Sequence, residues 1–186
     1  MDSYSNRTST LFTTFTTALF VFATLNHLTS YFYHPNPIGT VSVSQGGVVE
    51  YSEFKPYSAD QVKFEFDLKV DLRSEYNWNV NQLYVFVVAS YSTSRNSKNE
   101  VVIYDRILRD VADYKFSLNS IKNKYVLRDE FKNTLAGRTV ELKIRYQVMP
   151  IFGLLRIKEL PSTGTLVVPK EYNRSTDEGS KRSKSR

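Results

Sequence analysis

The sequence predicts an all-β fold: an antiparallel β-sandwich preceded by one N-terminal transmembrane helix. Three observations predict it. From Val62 to Leu72 apolar and charged residues alternate without exception, the period-two pattern of a strand with one wet face that no helix could use. Val140 to Val148 alternates as cleanly. A charge-free apolar run opens the chain, and little amphipathic helix follows it.

The apolar run comes first in chain order. No lysine or arginine lies between Arg7 and Lys55, and Leu11 to Leu25 within that gap holds only apolar residues and threonines. Extended as a helix over residues 11–33, it would reach about 34 Å at about 1.5 Å per residue, enough for a thin bilayer of about 27 Å. A cleaved secretory signal would need small residues before a cut. Val21-Phe22-Ala23 is the best such site, and it would leave a short apolar region. An uncleaved anchor is therefore the preferred reading. Arg7 precedes the span and the first charges after it are Glu50 and Glu53, which places residues 1–10 in the cytosol by the positive-inside rule. Tyr31, Phe32 and Tyr33 would form an aromatic belt at the far end. Thr10, Thr13, Thr14, Thr17 and Thr24 recur at helical spacing opposite Phe15, Leu19 and Phe22. Such a stripe suits close helix contact in lipid, or hydroxyls that bond back to their own helix.

Pro35 and Pro37 then end the span, since neither has an amide donor. Residues 34–60 read as linker and edge strands, with Val41 and Val43 alternating with serines and Gly46-Gly47 turning into Val48 to Tyr51. The sandwich proper is expected over 61–169. Leu83 to Ala89 is apolar at every position and reads as a strand buried on both faces. Ser92 to Asn99 is a polar loop, and Val101 to Leu108 a third strong strand. Lys115 to Leu118 and Lys124 to Leu127 are shorter candidates. Gly153 to Ile157 and Thr165 to Val168 complete the set as separate strands, with Pro161 and Pro169 between and after them. Residues 170–186 form a basic tail whose composition predicts disorder.

The chain has no cysteine, so disulfides and zinc-thiolate sites are excluded and stability must come from packing. Its formal charge is +6, but Lys170 to Arg186 carries six basic and three acidic residues, half of that excess. No basic stripe remains for nucleic acid. A serine triad needs a histidine on a rigid scaffold. The two histidines, His27 and His34, fall at the edge of the span and in the proline linker. A Ser-Lys dyad needs a desolvated lysine, whereas Lys63, Lys69 and Lys143 fall on polar strand faces. Asp67 and Asp71 share one wet face and read as surface charge rather than a cation site. No phosphate loop is present. The expectation is a binding or scaffolding protein with no catalytic residues, no cofactor, no metal and no small-molecule ligand.

The residues Phe64 to Leu68, Asp71-Leu72 and Tyr76-Asn77-Trp78-Asn79-Val80-Asn81-Gln82-Leu83-Tyr84-Val85-Phe86 resemble subunit 3 of the eukaryotic signal peptidase complex. So do Ala89 to Tyr91, Val101 to Ile107, and Tyr146 to Pro150 with Gly153. The similarity runs from the anchor to about Gly153, and its most specific part is the Trp-Asn-x-x-Gln block. Asn77, Trp78, Asn79 and Gln82 are expected to be structural, with Trp78 plugging the core where a strand begins. Departures exist: Asn81 stands where the family usually has lysine, Tyr104 where tryptophan is common, and Tyr146-Gln147 where Trp-Asn or Trp-His is usual. The only sequon on the expected luminal side is Asn173-Arg174-Ser175, in the tail. The resemblance implies a single-pass, non-catalytic subunit of the endoplasmic reticulum membrane whose luminal sandwich braces the catalytic subunit. Its partners would be the catalytic and accessory subunits of the complex and the lipid bilayer.

Two other classes compete. A self-sufficient membrane hydrolase would cut a signal-peptide substrate unaided. A secreted or membrane-anchored β-sandwich binding module, with no role in proteolysis, would lose its leader in the secreted case.

Overall fold

A computed structural model describes residues 3–173. The chain begins with α1, Tyr4–Thr29, 26 residues long. At about 1.5 Å per residue this is about 39 Å. Ser3 caps it by accepting the amide of Asn6 at 3.3 Å. None of its residues is buried. The helix with its closing turn, Tyr4–Phe32, is long and apolar enough to cross a membrane. Thr10, Thr13, Thr14, Thr17 and Thr24 each donate their hydroxyl to the carbonyl four residues back, at 2.8–2.9 Å. The stripe therefore satisfies its own polar atoms and presents methyl groups outward.

Eight strands follow: β1 Ile38–Phe54, β2 Ala59–Asp71, β3 Val80–Tyr91, β4 Asn99–Leu108, β5 Lys115–Lys122, β6 Leu127–Arg128, β7 Thr139–Pro150 and β8 Arg156–Val167. They form two four-stranded antiparallel sheets. In one the order is β1-β2-β5, with β6 also on β2; in the other it is β4-β3-β7-β8. β5 and β6 share the same side of β2. Asn123 fills the gap between them: its Oδ1 accepts the amide of Phe64 at 3.1 Å and its Nδ2 donates to the Tyr125 carbonyl at 2.8 Å.

The alternation of β2 becomes the core. Phe64, Phe66 and Leu68 are fully buried and belong to the same cluster as Leu83, Val85 and Val87 of β3 and Leu142, Ile144 and Tyr146 of β7. Each large apolar side chain buried there contributes about 1.5–3 kcal/mol. One corner of the sandwich is closed by β1 against β8, where the Val41 amide donates to Ser162 Oγ and Gly164 lies on the Val41 carbonyl.

Four expectations need correction. β3 is fully buried on one face and only partly on the other: Val88 is buried there, but Tyr84 and Phe86 are half-buried on the outside, stacked with centroids 5.3 Å apart. An aromatic pair that covers itself needs no further layer. β1 runs through Gly46-Gly47 without turning, because a bulge between Val43 and Val48 absorbs the extra residues and Gly47 takes a positive φ of 57°. β8 is one strand rather than two, and Pro161 sits within it at a register shift. An edge strand at a bulge tolerates a missing amide. Gly153 to Leu155 precede it as a turn. Of Lys124 to Leu127, only Leu127 enters a strand.

Tyr172 and Asn173 fall inside the stretch read as tail, yet both are tied to the body. Tyr172 donates to Asp60 at 2.7 Å, and Asn173 accepts the Tyr51 amide at 2.7 Å through Oδ1. The rest of that stretch, 174–186, lies outside the described residues.

Candidate functional site at the joint of helix and sandwich

The residues of the Trp-Asn-x-x-Gln block gather where α1 meets the sandwich. The chain leaves β2 through a turn at Arg73–Glu75 and enters β3 at Val80. Between them Asn77 Oδ1 accepts the Asn79 amide at 2.9 Å while its Nδ2 donates to the Glu75 carbonyl at 3.3 Å. These local bonds shape the loop so that Asn79 turns inward, 2 % exposed. Its side chain grips the β7–β8 turn: Nδ2 donates to the Phe152 carbonyl at 2.9 Å and Oδ1 accepts the Phe152 amide at 3.1 Å. The same oxygen accepts from Asn26 Nδ2, on the last turns of α1, at 3.2 Å. One carboxamide thus joins β3, the β7–β8 turn and the helix.

Two more contacts complete the joint. Gly153 has a φ of 122° and lies so close to the His27 ring that any β-carbon there would collide with it. The Arg156 guanidinium stacks over the Tyr31 ring at 3.7 Å. The His27 Nε2 is 3.4 Å from the Tyr31 hydroxyl, and its Nδ1 is buried without a hydrogen-bond partner.

Beneath the joint sits a buried carboxylate. Glu75 is 2 % exposed, receives the Tyr146 hydroxyl and is held by Lys158 Nζ at 2.9 and 3.0 Å. Burial, then the bond to Glu75, pushes the Tyr146 phenol far above its ordinary range. The cavity between these groups measures about 60 Å³ and is lined by His27, Asn77, Asn79, Val148, Leu154 and Lys158, among others. Small-molecule sites are typically about 300–1,000 Å³, so this space suits a water or two.

Trp78 departs from its expected place: it is 58 % exposed and plugs nothing. Gln82 is half-buried and donates to Met149 Sδ at 3.0 Å, supporting β7 beside the joint. His34 bonds the Phe32 carbonyl in the linker, 2.9 Å away. Asp67 accepts the Ser120 amide at 2.7 Å and Ser44 Oγ at 3.0 Å, and these bonds hold its carboxyl below the usual range. Asp71 is engaged by the Arg73 guanidinium at 2.9 and 2.7 Å, with the same effect. No cluster of three metal-ligating side chains occurs among the described residues.

Sequence reasoning missed Asn26, Glu75 and Lys158 as members of this site. The signal for Asn26 was available: Asn26-His27 interrupts an apolar run, and polar side chains at the end of a span need a partner.

Over residues 1–171 the chain matches the protein family described as "Signal peptidase subunit". It is 35% identical over 135 residues to the signal peptidase complex subunit 3 of Caenorhabditis elegans, 73% of each chain. It is 30% identical over 109 residues to the subunit of that name in Saccharomyces cerevisiae, 59% of each chain. With the human subunit it shares 34% identity over 104 residues, 56% of this chain and 57% of that one. The family match takes in the helix, the sandwich and the asparagine joint together, and the chain belongs to the signal peptidase subunit family.

Proposed function

We propose that this chain holds the cutting machinery of another subunit at a fixed height above the endoplasmic reticulum membrane. The chain is a non-catalytic subunit of the signal peptidase complex and a membrane protein of that compartment. Within that role, residues 1–10 face the cytosol, 11–33 span the bilayer, 34–60 supply the linker and the edge strand β1, and these with the rest of the domain over 61–169 stand in the lumen. Arg7 before the span and no basic residue after it until Lys55 support this orientation. The sandwich braces the catalytic subunit for removal of signal peptides from nascent secretory proteins.

The observation that carries the bracing role is the joint. A brace must transmit position, and here Asn79 and Gly153 lock the body onto the last turns of the helix rather than leaving it on a free linker. Strand addition is the mode of contact. It is supported by β5, which is paired on one side only among the described residues. Asn173 carries an N-linked glycan in this reading. Its bond to Tyr51 uses the oxygen, while the sugar attaches to the nitrogen.

Affinity capture from detergent-solubilised microsomes tests the assignment: the other subunits of the complex should co-purify, and depletion of this chain should leave secretory precursors unprocessed. Normal processing without it would remove the bracing role. Protease protection of residues beyond 60 in sealed microsomes tests the orientation, and Asn173→Gln should abolish any glycosidase-sensitive mobility shift.

A further inference from the structure

The turn between β7 and β8 is short, oily and outward-facing. Ile151, Leu154 and Leu155 are 68 %, 70 % and 61 % exposed, an unusual concentration of large apolar side chains on one turn. Trp78, 58 % exposed, stands on the neighbouring loop. Polar side chains would normally cap such a turn, and the Asn79 clamp holds these residues in place rather than letting them fold back.

The helix fixes the height of the turn. Gly153 lies against His27 and Arg156 against Tyr31. From Arg7, which must stay in the near aqueous phase, to His27 is about twenty residues, about 30 Å along a helix. The hydrocarbon layer is about 27–30 Å thick. His27 therefore reaches the far boundary between acyl chains and headgroups, and tilt of the helix only brings it deeper. Whatever packs on His27 stands at the same depth. The aromatic and cationic groups around the turn fit that zone as well: tyrosine and tryptophan concentrate there, and Arg156 keeps its charge at headgroup level while its stem and ring contact remain apolar.

We propose that the β7–β8 turn, led by Leu154 and Leu155, inserts into the luminal headgroup–acyl boundary of the bilayer and gives the sandwich a second membrane attachment beside the helix. This rests on the reading of α1 as the membrane span. The occupant of the patch is lipid rather than protein because the patch is continuous with the end of the span.

The absence of cysteine makes the test direct. Single-cysteine full-length chains, Leu154→Cys, Leu155→Cys, Tyr57→Cys and Phe15→Cys, are labelled with an environment-sensitive nitrobenzoxadiazole probe. They are then reconstituted into phosphatidylcholine vesicles containing lipid spin-labelled at the fifth or the twelfth acyl carbon. Tyr57 is 77 % exposed in the β1–β2 turn, at the end of the sandwich away from the helix. Probes at 154 and 155 should be quenched at least twofold more than the probe at 57, and more by the shallow label than by the deep one. Phe15→Cys should be quenched by the deep label. If it is quenched while 154 and 155 behave like 57, the insertion is overturned and the span survives. If Phe15→Cys is not quenched, the span fails and the insertion with it. In microsomes, a photocrosslinker at 154 should give lipid adducts; adducts to a protein neighbour instead would overturn lipid as the occupant.

Discussion

Replacing Asn79 with alanine tests the joint at its centre. The substitution removes three side-chain hydrogen bonds, two to Phe152 and one from Asn26, at a position 2 % exposed. Each such bond contributes about 0.5–1.5 kcal/mol net, and a buried partner left unmatched costs more. Water can reach the Asn26 side but less readily the Phe152 backbone, so the local cost should be about 2–3 kcal/mol. At about 1.4 kcal/mol per decade, local opening of the β7–β8 turn becomes about 30- to 150-fold more frequent. Amide hydrogen exchange in detergent reads it directly: the Phe152 amide should exchange that much faster in Asn79→Ala. The Leu135 amide, bound to Asp60 at the other end of the sandwich, should be unchanged. Asn79→Asp separates the bonds, because a carboxylate can still accept from Phe152 and Asn26 but cannot donate to the Phe152 carbonyl. It should fall between wild type and alanine. A Phe152 amide that exchanges at the wild-type rate in Asn79→Ala would refute the view that this side chain holds the joint.

Asp60 has no solvent exposure and accepts four bonds, from the Tyr51 and Tyr172 hydroxyls and the Asn133 and Leu135 amides. Asp60→Asn sets a donor against donors, so unfolding in denaturant should show a loss of about 3–5 kcal/mol, from bonds to a charged acceptor of about 1.5–3 kcal/mol each. The Tyr172 phenol is pushed up to about 12 by burial and then by Asp60. Because the folded value lies above the ordinary one of 10.0, its contribution is complete below about pH 10 and should be lost as pH rises towards 12, seen as falling thermal stability. Glu100 is the opposite case: bonds from Arg145 and then Lys98 lower it to about 2. Its contribution is present above about pH 4.5 and should fade as pH drops towards 2, and Arg145→Met should flatten that acid limb of a melting profile. Converting Thr10, Thr13, Thr14, Thr17 and Thr24 to leucine should leave the sandwich's melting temperature unchanged but reduce recovery of membrane partners. Equal recovery would show that the stripe makes no helix contact.

Strand character was legible wherever one face is polar. From Val62 onward the charges of β2 fall at half-exposed or exposed positions and its apolar residues at buried ones, as the alternation requires. What misled was an apolar residue on an open face. Tyr84 and Phe86 satisfy part of their burial by stacking on each other, and no property of the sequence distinguishes that from packing under a second layer. Glycine and proline misled for a related reason. At Gly47 and Pro161 the strands continue through bulges, so residues that would normally interrupt pairing merely shift its register. The asparagine block was legible as a motif but not as a joint, since its partners Asn26 and Phe152 lie 53 and 73 residues away. Asp60 and Glu75 were hidden because a buried carboxylate surrounded by donors looks, in one dimension, like surface charge.

The linker explains why the joint matters. Residues 33–37 are an extended connection of about five residues, able to span about 16 Å. On that tether alone the sandwich could swing through any angle the membrane allows. The contacts of the joint bypass it: Asn26, His27 and Tyr31 precede the linker, while Asn79, Gly153 and Arg156 come from the loop before β3, the β7–β8 turn and the start of β8. The body is thus fixed to the helix covalently through β1 and non-covalently at two further places contributed by the other sheet, and three separated attachments define an orientation where one cannot. Lys158 reinforces the arrangement from inside, since it reaches from β8 to Glu75 on the loop that positions Asn79. Lys158→Met would leave the buried Glu75 carboxylate with the Tyr146 hydroxyl but without its cation, at a cost of about 1–3 kcal/mol. All three groups of that network belong to the sandwich, so Lys158→Met should lower its stability in denaturant and speed exchange of the Phe152 amide, and an unchanged rate there would show that the pair does not support the joint.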